Sequence, residues 1–351
     1  MNKQYRWRHL HWLGAAFLIA IMPMVVMAQS STNQIIEGSL RVVEQGEIQP
    51  FDAEGFFERG LSYFQHGEYD KAIDDFSEAI RLSPRFAKAY VTRGKVYFEQ
   101  AEYDKALADY KAAIEFNPRF ALAYYNRGFT YNALKQYDKA VADYTKAIEL
   151  DASSTNVYND RGIAYTNLNQ YAKAIADYSK AIELDPKYTF AYFNRGITYY
   201  NQAQYTKAIA DYTAAIELDA NFIAAYMNRG ISYSDLNENE KAVDDFTTVI
   251  KLSPKNTQAY YSRGISYFFL QRYDKAINDF TIVLALDPQK ADAYNFRAEC
   301  YFLLKQYKQA IADWHQFEAL GETLSFNDQI YLEQSEAELK PQATATVVAP
   351  K

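Results

Sequence analysis

The chain has 351 residues, of which 49% are hydrophobic and 23% are charged, so its composition is that of a globular protein. The formal net charge of −7 argues against a nucleic-acid binder, because such proteins need clustered Lys and Arg at the phosphates. The single cysteine excludes an intramolecular disulfide framework and a Cys-rich zinc site.

Residues 1–28 have the pattern of a secretory signal. Three basic residues precede an apolar run over residues 12–27, and a polar stretch begins at Gln29. This predicts cleavage after Ala28 and a periplasmic or secreted product. The alternative is an uncleaved N-terminal membrane anchor. Pro23 interrupts the run, which is also shorter than the roughly 20 apolar residues of a spanning helix, so cleavage is favoured.

A 34-residue period organises residues 53–324. The dipeptide Arg-Gly recurs at every step from Arg59-Gly60 to Arg263-Gly264, and Arg297-Ala298 occupies the next step. Within each repeat, position 11 is Tyr, position 20 is Ala and position 24 is aromatic. Counting from residue 53 gives eight repeats without insertion or deletion: 53–86, 87–120, 121–154, 155–188, 189–222, 223–256, 257–290 and 291–324.

The spacing within a repeat predicts two amphipathic helices, A and B. Positions 4, 7, 8 and 11 share one helical face, as do positions 20, 23, 24 and 27 on the second helix. The residues at positions 8 and 20 are small where the two helices must approach, and a Pro at position 32 in five repeats ends helix B. One such hairpin cannot bury its apolar face alone, so the repeats are expected to stack on one another.

These in-phase copies resemble the tetratricopeptide repeat (TPR) family. The family signature has an aromatic residue at position 4, Leu-Gly at 7–8, Tyr at 11, Ala at 20, an aromatic residue at 24 and Pro at 32. The resemblance covers residues 53–324. It implies an all-α fold, a right-handed α-α superhelix or TPR solenoid, in which the A helices line a concave groove.

Position 7 departs from the family pattern, because it is Arg where the family has Leu, and position 23 is always Asp. Both positions lie within apolar faces, so we expect each arginine to pair with an aspartate of its own repeat or of a neighbouring repeat. For Arg195 the candidates are Asp211 and Asp177. The less favoured alternative is that the arginines line a binding surface. The residues concerned are Arg59, Arg93, Arg127, Arg161, Arg195, Arg229, Arg263 and Arg297, with Asp75, Asp109, Asp143, Asp177, Asp211, Asp245, Asp279 and Asp313.

A second face of helix A contains positions 2, 5, 6, 9, 12 and 13, which correspond to the groove-lining positions of the family. Asn at position 6 offers donors and acceptors to a peptide backbone, and the aromatic residues beside it offer apolar pockets. The alternative is that part of this face, and position 9 above all, packs against the adjacent repeat. The predicted peptide-binding residues are Tyr125, Asn126, Phe129, Phe193, Asn194, Tyr200, Met227, Asn228 and Tyr261.

The two ends of the array carry no further domain in this interpretation. Residues 29–52 form a short lead-in segment, and residues 341–351 are expected to be a disordered tail. Residues 325–340 are predicted to form an amphipathic capping helix, with Asn327 as its N-cap, because a solenoid needs a more polar element over its last interface.

No pattern of catalytic, cofactor-binding or metal-binding residues is recognisable. After signal removal the remaining histidines are His66 and His315, which lie far apart along the array. Seven glycines are committed to position 8 rather than to a phosphate-binding loop. Cys300 stands at a position that holds small packed residues in other repeats. We therefore expect no enzymatic activity and no cofactor.

The sequence predicts an exported scaffold that binds a protein or an extended peptide in its groove and acts as an interaction or assembly factor in the cell envelope. The alternative is a structural or self-associating spacer with no groove ligand. Neither hypothesis has a nucleic acid as a partner. Contact with a membrane is expected only through the transient signal segment.

Overall fold

The computed structural model describes residues 52–340, which form seventeen α-helices and contain no strand. The signal segment, most of the lead-in and the predicted tail lie outside the described residues. The helices are α1 (Ala53–Gln65), α2 (Tyr69–Leu82), α3 (Ala87–Glu99), α4 (Tyr103–Phe116), α5 (Ala121–Ala133), α6 (Tyr137–Leu150), α7 (Thr155–Asn167), α8 (Tyr171–Leu184), α9 (Thr189–Asn201), α10 (Tyr205–Leu218), α11 (Ile223–Asp235), α12 (Asn239–Leu252), α13 (Thr257–Phe269), α14 (Tyr273–Leu286), α15 (Ala291–Leu303), α16 (Tyr307–Ala319) and α17 (Phe326–Leu339).

The described helices divide into two compact units. The first unit holds residues 52–202 with α1–α9, and the second holds residues 203–340 with α10–α17. Odd-numbered helices up to α15 are the A helices and even-numbered helices are the B helices. Within each unit, consecutive helices pack as helix-turn-helix repeats, and each repeat packs on the next. The predicted all-α repeat fold is therefore confirmed.

Small residues bring helix A onto helix B in every repeat that lies within one unit. The alanines at position 20 are fully buried, and the aromatic residues at position 24 are at most 1% exposed. A Cβ atom added to Gly162 would lie 2.6 Å from Cε1 of Tyr178, far closer than a van der Waals contact. Glycine at position 8 of repeat 4 is thus required by the ring of Tyr178 at position 24, whereas repeat 8 accommodates Ala298 beside Trp314.

The turn from helix A to helix B places position 15 in the left-handed region of backbone space. Repeat 1 has Gly67 there, with φ of 75°. Seven later repeats hold a non-glycine residue at this position with φ between 55° and 63°, a conformation that costs energy for a residue with a Cβ. These residues are Ala101, Lys135, Asn169, Ala203, Asn237, Gln271 and Lys305.

Replacing Ala101 with glycine is expected to stabilise the protein. Glycine removes the cost of the left-handed backbone, and this outweighs the free-energy cost of the extra entropy that glycine gives the unfolded chain. The free energy of unfolding should therefore rise by about 0.5–1 kcal/mol. Asn169→Gly is the matched control, since Asn tolerates this conformation better and should gain less. Urea denaturation followed by circular dichroism measures both. An equal or negative change for Ala101→Gly would contradict the strain argument.

The arginine at position 7 pairs with the aspartate at position 23 of its own repeat. In Arg161, for example, Nε donates to Oδ2 of Asp177 at 2.7 Å and Nη2 donates to Oδ1 at 2.8 Å. The aspartate side chains of these pairs are only 4–9% exposed. Arg195 and Asp211 belong to different units. The pairs described are Arg59–Asp75, Arg93–Asp109, Arg127–Asp143, Arg161–Asp177, Arg229–Asp245, Arg263–Asp279 and Arg297–Asp313.

Each guanidinium also contacts groups that sequence reasoning did not anticipate. Tyr or Phe rings at positions 4 and 11 of the same helix lie 5.4–6.0 Å from the guanidinium carbon. Nη1 of Arg161 donates to the hydroxyl of Thr145, at position 25 of the preceding repeat, at 3.1 Å. The same hydrogen bond joins most other neighbouring repeats. In repeat 2, however, position 25 is Lys111, and within residues 52–340 Arg127 makes no such bond.

The last helix, α17, covers the end of the array. Its N-cap is Ser325, whose Oγ accepts a hydrogen bond from the Asp328 backbone N–H at 3.2 Å. The expectation that Asn327 caps this helix is wrong, because the extended backbone of Ser325 places its hydroxyl at the first free N–H groups and the helix has already begun at Phe326. The Tyr331 ring stacks on Phe302 with a centroid distance of 4.4 Å.

Candidate peptide-binding surface

Three of the predicted groove residues are buried between repeats. Phe193, Met227 and Tyr261 all stand at position 5, and they are only 3–7% exposed. The Tyr261 ring contacts the rings of Phe280 and Phe296 at 6.0 and 6.2 Å. The Tyr261 ring therefore packs against the adjacent repeat, and because all three side chains are buried they do not offer the binding surface that the sequence predicted.

The structure also buries position 9 in several repeats, as the alternative interpretation anticipated. Ile197, Ile231 and Ile265 are 4–6% exposed. Among the predicted asparagines, Asn194 and Asn228 are each only 9% exposed. The polar residues at position 6 in these later repeats therefore lie at the margin of the packed interface.

A partly exposed set of side chains remains on the A helices of the first unit. We call it the A-face patch, and it consists of Phe98, Tyr125, Asn126, Phe129 and Asp160. The Phe129 ring lies 5.3 Å from the Phe98 ring and 6.2 Å from the Tyr125 ring, measured between centroids. Three predicted residues thus lie together here, whereas a fourth, Tyr200, is partly exposed on α9.

A row of hydrogen bonds crosses three A helices beside these aromatic rings. The Tyr125 hydroxyl donates to Oδ2 of Asp160 at 2.8 Å. Nδ2 of Asn159 donates to the other carboxylate oxygen at 3.1 Å, and Asn194 Nδ2 donates to Asn159 Oδ1 at 2.9 Å. The row joins α5, α7 and α9, and it fixes the orientation of polar groups at the edge of the A-face patch.

Sequence reasoning missed Asp160, although a signal for it was present. It stands at position 6 of repeat 4, the position that holds Asn126 in repeat 3 and Asn194 in repeat 5. Repeat 4 therefore replaces a neutral amide by a carboxylate of nearly the same shape. Comparing position 6 across repeats 3–6 would have singled out this charge, because the other three repeats hold Asn there.

The Asp160 carboxyl group has an unusual electrostatic environment. Burial raises its pKa to about 6, and the hydrogen bonds from Tyr125 and Asn159 oppose this rise. Burial and the nearby carboxylate raise the pKa of Tyr125 and of Tyr144. Asp160 makes no ion pair with any residue in the range 52–340. Near neutral pH the A-face patch therefore carries a negative charge that forms no ion pair with a cation among residues 52–340.

The A-helix face of the first two repeats carries charges of both signs, with Glu54, Glu58 and Glu99 beside Lys88 and Lys95. Nζ of Lys95 lies 5.5 Å from the centroid of the Phe64 ring. Burial lowers the pKa of Lys95 to about 8, and the charge of Glu99 opposes this decrease. Lys95 is thus a partly buried amine beside an aromatic ring and close to a carboxylate of its own helix.

The described residues contain no grouping of His, Cys, Asp and Glu that could hold a metal ion. Cys300 is fully buried, and burial raises the pKa of its thiol, which keeps it in the unreactive protonated form. Over the same residues, none of the helices has both the length and the apolar character needed to cross a membrane.

Comparison with protein families identifies the repeats. A model described as TPR repeat and three models described as tetratricopeptide repeat match the chain, and together they span residues 60–316 apart from 257–260. No enzyme family is among the matches. The matched segments are 60–101, 94–134, 121–154, 155–188, 189–222, 223–256 and 261–316.

Solved structures of TPR proteins are similar to this chain. The C-terminal part of a TPR repeat-containing protein from Cytophaga hutchinsonii has 21% identity and a TM-score of 0.58, covering 68% of this chain and 98% of its own. A TPR protein from Parabacteroides merdae has 19% identity and a TM-score of 0.51, covering 71% and 98%. YrrB, titled a TPR protein with an unusual peptide-binding site, has 26% identity and a TM-score of 0.47, covering 54% and 97%. None of the curated proteins matches the sequence.

Proposed function

The chain belongs to the tetratricopeptide repeat family of protein-interaction scaffolds, and from this premise we propose that it binds an extended peptide segment of a partner protein across the A-face patch. One observation supports this surface above others. Asn126 is partly exposed beside the Phe129 and Tyr125 rings, and its side-chain amide makes no hydrogen bond to the residues described. An amide of this kind pairs with a peptide backbone while the rings hold apolar side chains.

The proposal includes a location in the cell envelope. Its support is the signal-like pattern of residues 1–28, which lie outside the described part of the chain. Mass spectrometry of the protein isolated from its source cells tests this. A mature N-terminus at Gln29 in an envelope fraction supports export, and an intact N-terminus in the cytosol would overturn it.

Peptide binding is tested by selecting binders to the purified full chain from a display library of random twelve-residue peptides. The affinity of each selected peptide is then measured by fluorescence polarisation. Asn126→Ala and Phe129→Ala are each expected to weaken binding by about tenfold, since each removes a partly buried contact worth about 1–2 kcal/mol. The Asn126 side chain is partly exposed, so Asn126→Ala should change the melting temperature little, whereas Phe129→Ala also removes ring contacts and should lower it.

The matched control is Lys173→Ala, an exposed position on the B helix α8, which should leave peptide affinity unchanged. Failure to select any binding peptide, or loss of affinity only in the B-helix variant, would count against the A-face patch. Concentration-dependent self-association in analytical ultracentrifugation, without peptide binding, would favour the structural spacer instead.

A further inference from the structure

The carboxylate of Asp160 has unused acceptor capacity on both oxygens. Oδ2 accepts one hydrogen bond, from Tyr125, and Oδ1 accepts one, from Asn159. Each carboxylate oxygen can accept two, so one lone pair on each remains available. Asp160 is partly exposed and lies on the A-face patch. These two lone pairs are the acceptors that a ligand with two parallel donors would use.

The protein uses a closely related arrangement elsewhere as a structural unit. In repeat 7, Nε and Nη2 of Arg263 donate to the two oxygens of Asp279 at 2.8 and 2.7 Å. The same guanidinium lies 5.6 and 5.7 Å from the rings of Tyr260 and Tyr267. This chain thus repeatedly holds an arginine by a carboxylate that accepts from two of its nitrogens and by aromatic rings beside the guanidinium.

Asp160 is a carboxylate without an arginine, in direct contact with the Tyr125 hydroxyl, and the Tyr144 ring lies 6.0 Å from the Tyr125 ring. Burial raises the pKa of Tyr125, Tyr144, Tyr178 and Tyr188, and the charge of Asp160 adds to this rise. The Tyr144 hydroxyl is fully buried and has no hydrogen-bond partner within residues 52–340. A buried hydroxyl without a partner next to an unbalanced carboxylate is a costly arrangement, and such costs are characteristic of binding sites.

We propose that Asp160 and Tyr125 form a subsite for the arginine side chain of a bound peptide. This inference rests on the proposed function, since it names one side chain of the ligand. A guanidinium fork matches the two free lone pairs and also stacks on tyrosine, whereas a lysine ammonium is a point charge that cannot engage both oxygens in parallel. Binding supplies the cation that the partly buried carboxylate lacks.

Occupation of the subsite depends on the protonation of Asp160. The groups that face it are Tyr125 from α5, Tyr144 from α6, Tyr178 from α8 and Tyr188 at the start of α9, and their raised pKa values keep them neutral between pH 5 and 8. The pKa of Asp160 is about 6, so the carboxylate is charged above that pH and progressively neutralised below it. The arginine preference should therefore be present at pH 7.5 and fall about tenfold by pH 5.

The test uses small probes and the purified full chain. N-acetyl-arginine methylamide and its neutral isostere N-acetyl-citrulline methylamide are titrated, and the backbone amide signals of Asp160 and Asn159 are followed by NMR. At pH 7.5 the arginine probe is expected to bind at least about tenfold more tightly than the citrulline probe. Equal affinities would overturn the subsite, as would an N-acetyl-lysine methylamide probe that binds as tightly as arginine.

Asp160→Asn supplies the matched variant, because it installs the residue that repeats 3 and 5 carry at the same position. It should keep the melting temperature and lose the arginine preference, and a preference that persists would refute the assignment. If the variant does not fold, the pH dependence of the wild-type protein decides. Selected peptides that bind without arginine would overturn the subsite alone. A probe preference without any peptide binding would instead count against the proposed function.

Discussion

Replacing Arg161 with alanine is expected to lower the free energy of unfolding by about 3–5 kcal/mol. The Asp177 side chain is only 8% exposed, and it would lose both of its hydrogen bonds to the guanidinium. The hydrogen bond from the Arg161 guanidinium to the Thr145 hydroxyl of the preceding repeat would also be lost. A carboxylate left buried without its partner accounts for most of the expected loss, because its desolvation is no longer compensated.

A double-mutant cycle separates this pairing from general damage to packing. Arg161→Ala and Asp177→Ala should be strongly non-additive, since the second change removes the carboxylate that the first leaves stranded. Asp143→Ala is the matched control, because Asp143 pairs with Arg127 and should combine additively with Arg161→Ala. Urea denaturation gives all the free energies. A coupling with Asp177 no larger than that with Asp143 would contradict pairing within the repeat.

Replacing Glu299 with glutamine is expected to raise stability at neutral and alkaline pH. Glu299 is 4% exposed, and its Oε1 has no hydrogen-bond partner among the described residues. Burial, with the nearby charge of Asp328 on the capping helix, raises the pKa of Glu299 well above its usual 4.5. Glutamine has nearly the shape of the protonated carboxyl group and carries no charge at any pH.

The sign of the pH dependence follows from that raised pKa. In the unfolded chain Glu299 ionises above about pH 4.5, whereas in the folded protein it stays protonated to a much higher pH. Folding then takes up a proton, so the wild type loses stability as the pH rises through this interval, by up to about 1.4 kcal/mol per pH unit. Glu299→Gln should lack this slope and exceed the wild type by about 2–3 kcal/mol at pH 7.

Urea denaturation between pH 5 and 8 measures the difference between the two proteins. Glu318→Gln removes a carboxylate from an exposed site on the neighbouring helix α16 and should leave the slope unchanged. If the wild type and Glu299→Gln have parallel pH profiles, Glu299 is not held protonated in the folded protein.

The helical hairpin was predictable from sequence because its signals repeat. The 34-residue period placed Gly162 and Tyr178 at a helix crossing, and the structure shows that the ring of Tyr178 leaves no room for a Cβ at Gly162. The abundance of tyrosine likewise has a structural cause. Besides those at position 24, tyrosines at positions 4 and 11 flank the arginines, as Tyr260 and Tyr267 flank Arg263.

The surface was harder to predict because helical periodicity describes one helix and not the stacking of repeats. It assigned Phe193 and Met227 to the exposed side of helix A, but both side chains are buried. Asp160 escaped notice for the opposite reason. Asp160 replaces an asparagine in one of repeats 3–6, and a residue that differs in a single repeat has no periodic signal.

The hydrogen bond from Arg161 to Thr145 has a counterpart at most junctions between repeats, but Lys111 removes it between repeats 2 and 3. In a linear array each repeat is coupled only to its neighbours, so the interface between two repeats determines how cooperatively they unfold. The missing bond makes this junction a preferred point of partial opening within the first unit. Helices α1–α4 can then fray as one block and exchange their amide hydrogens faster than the helices that follow.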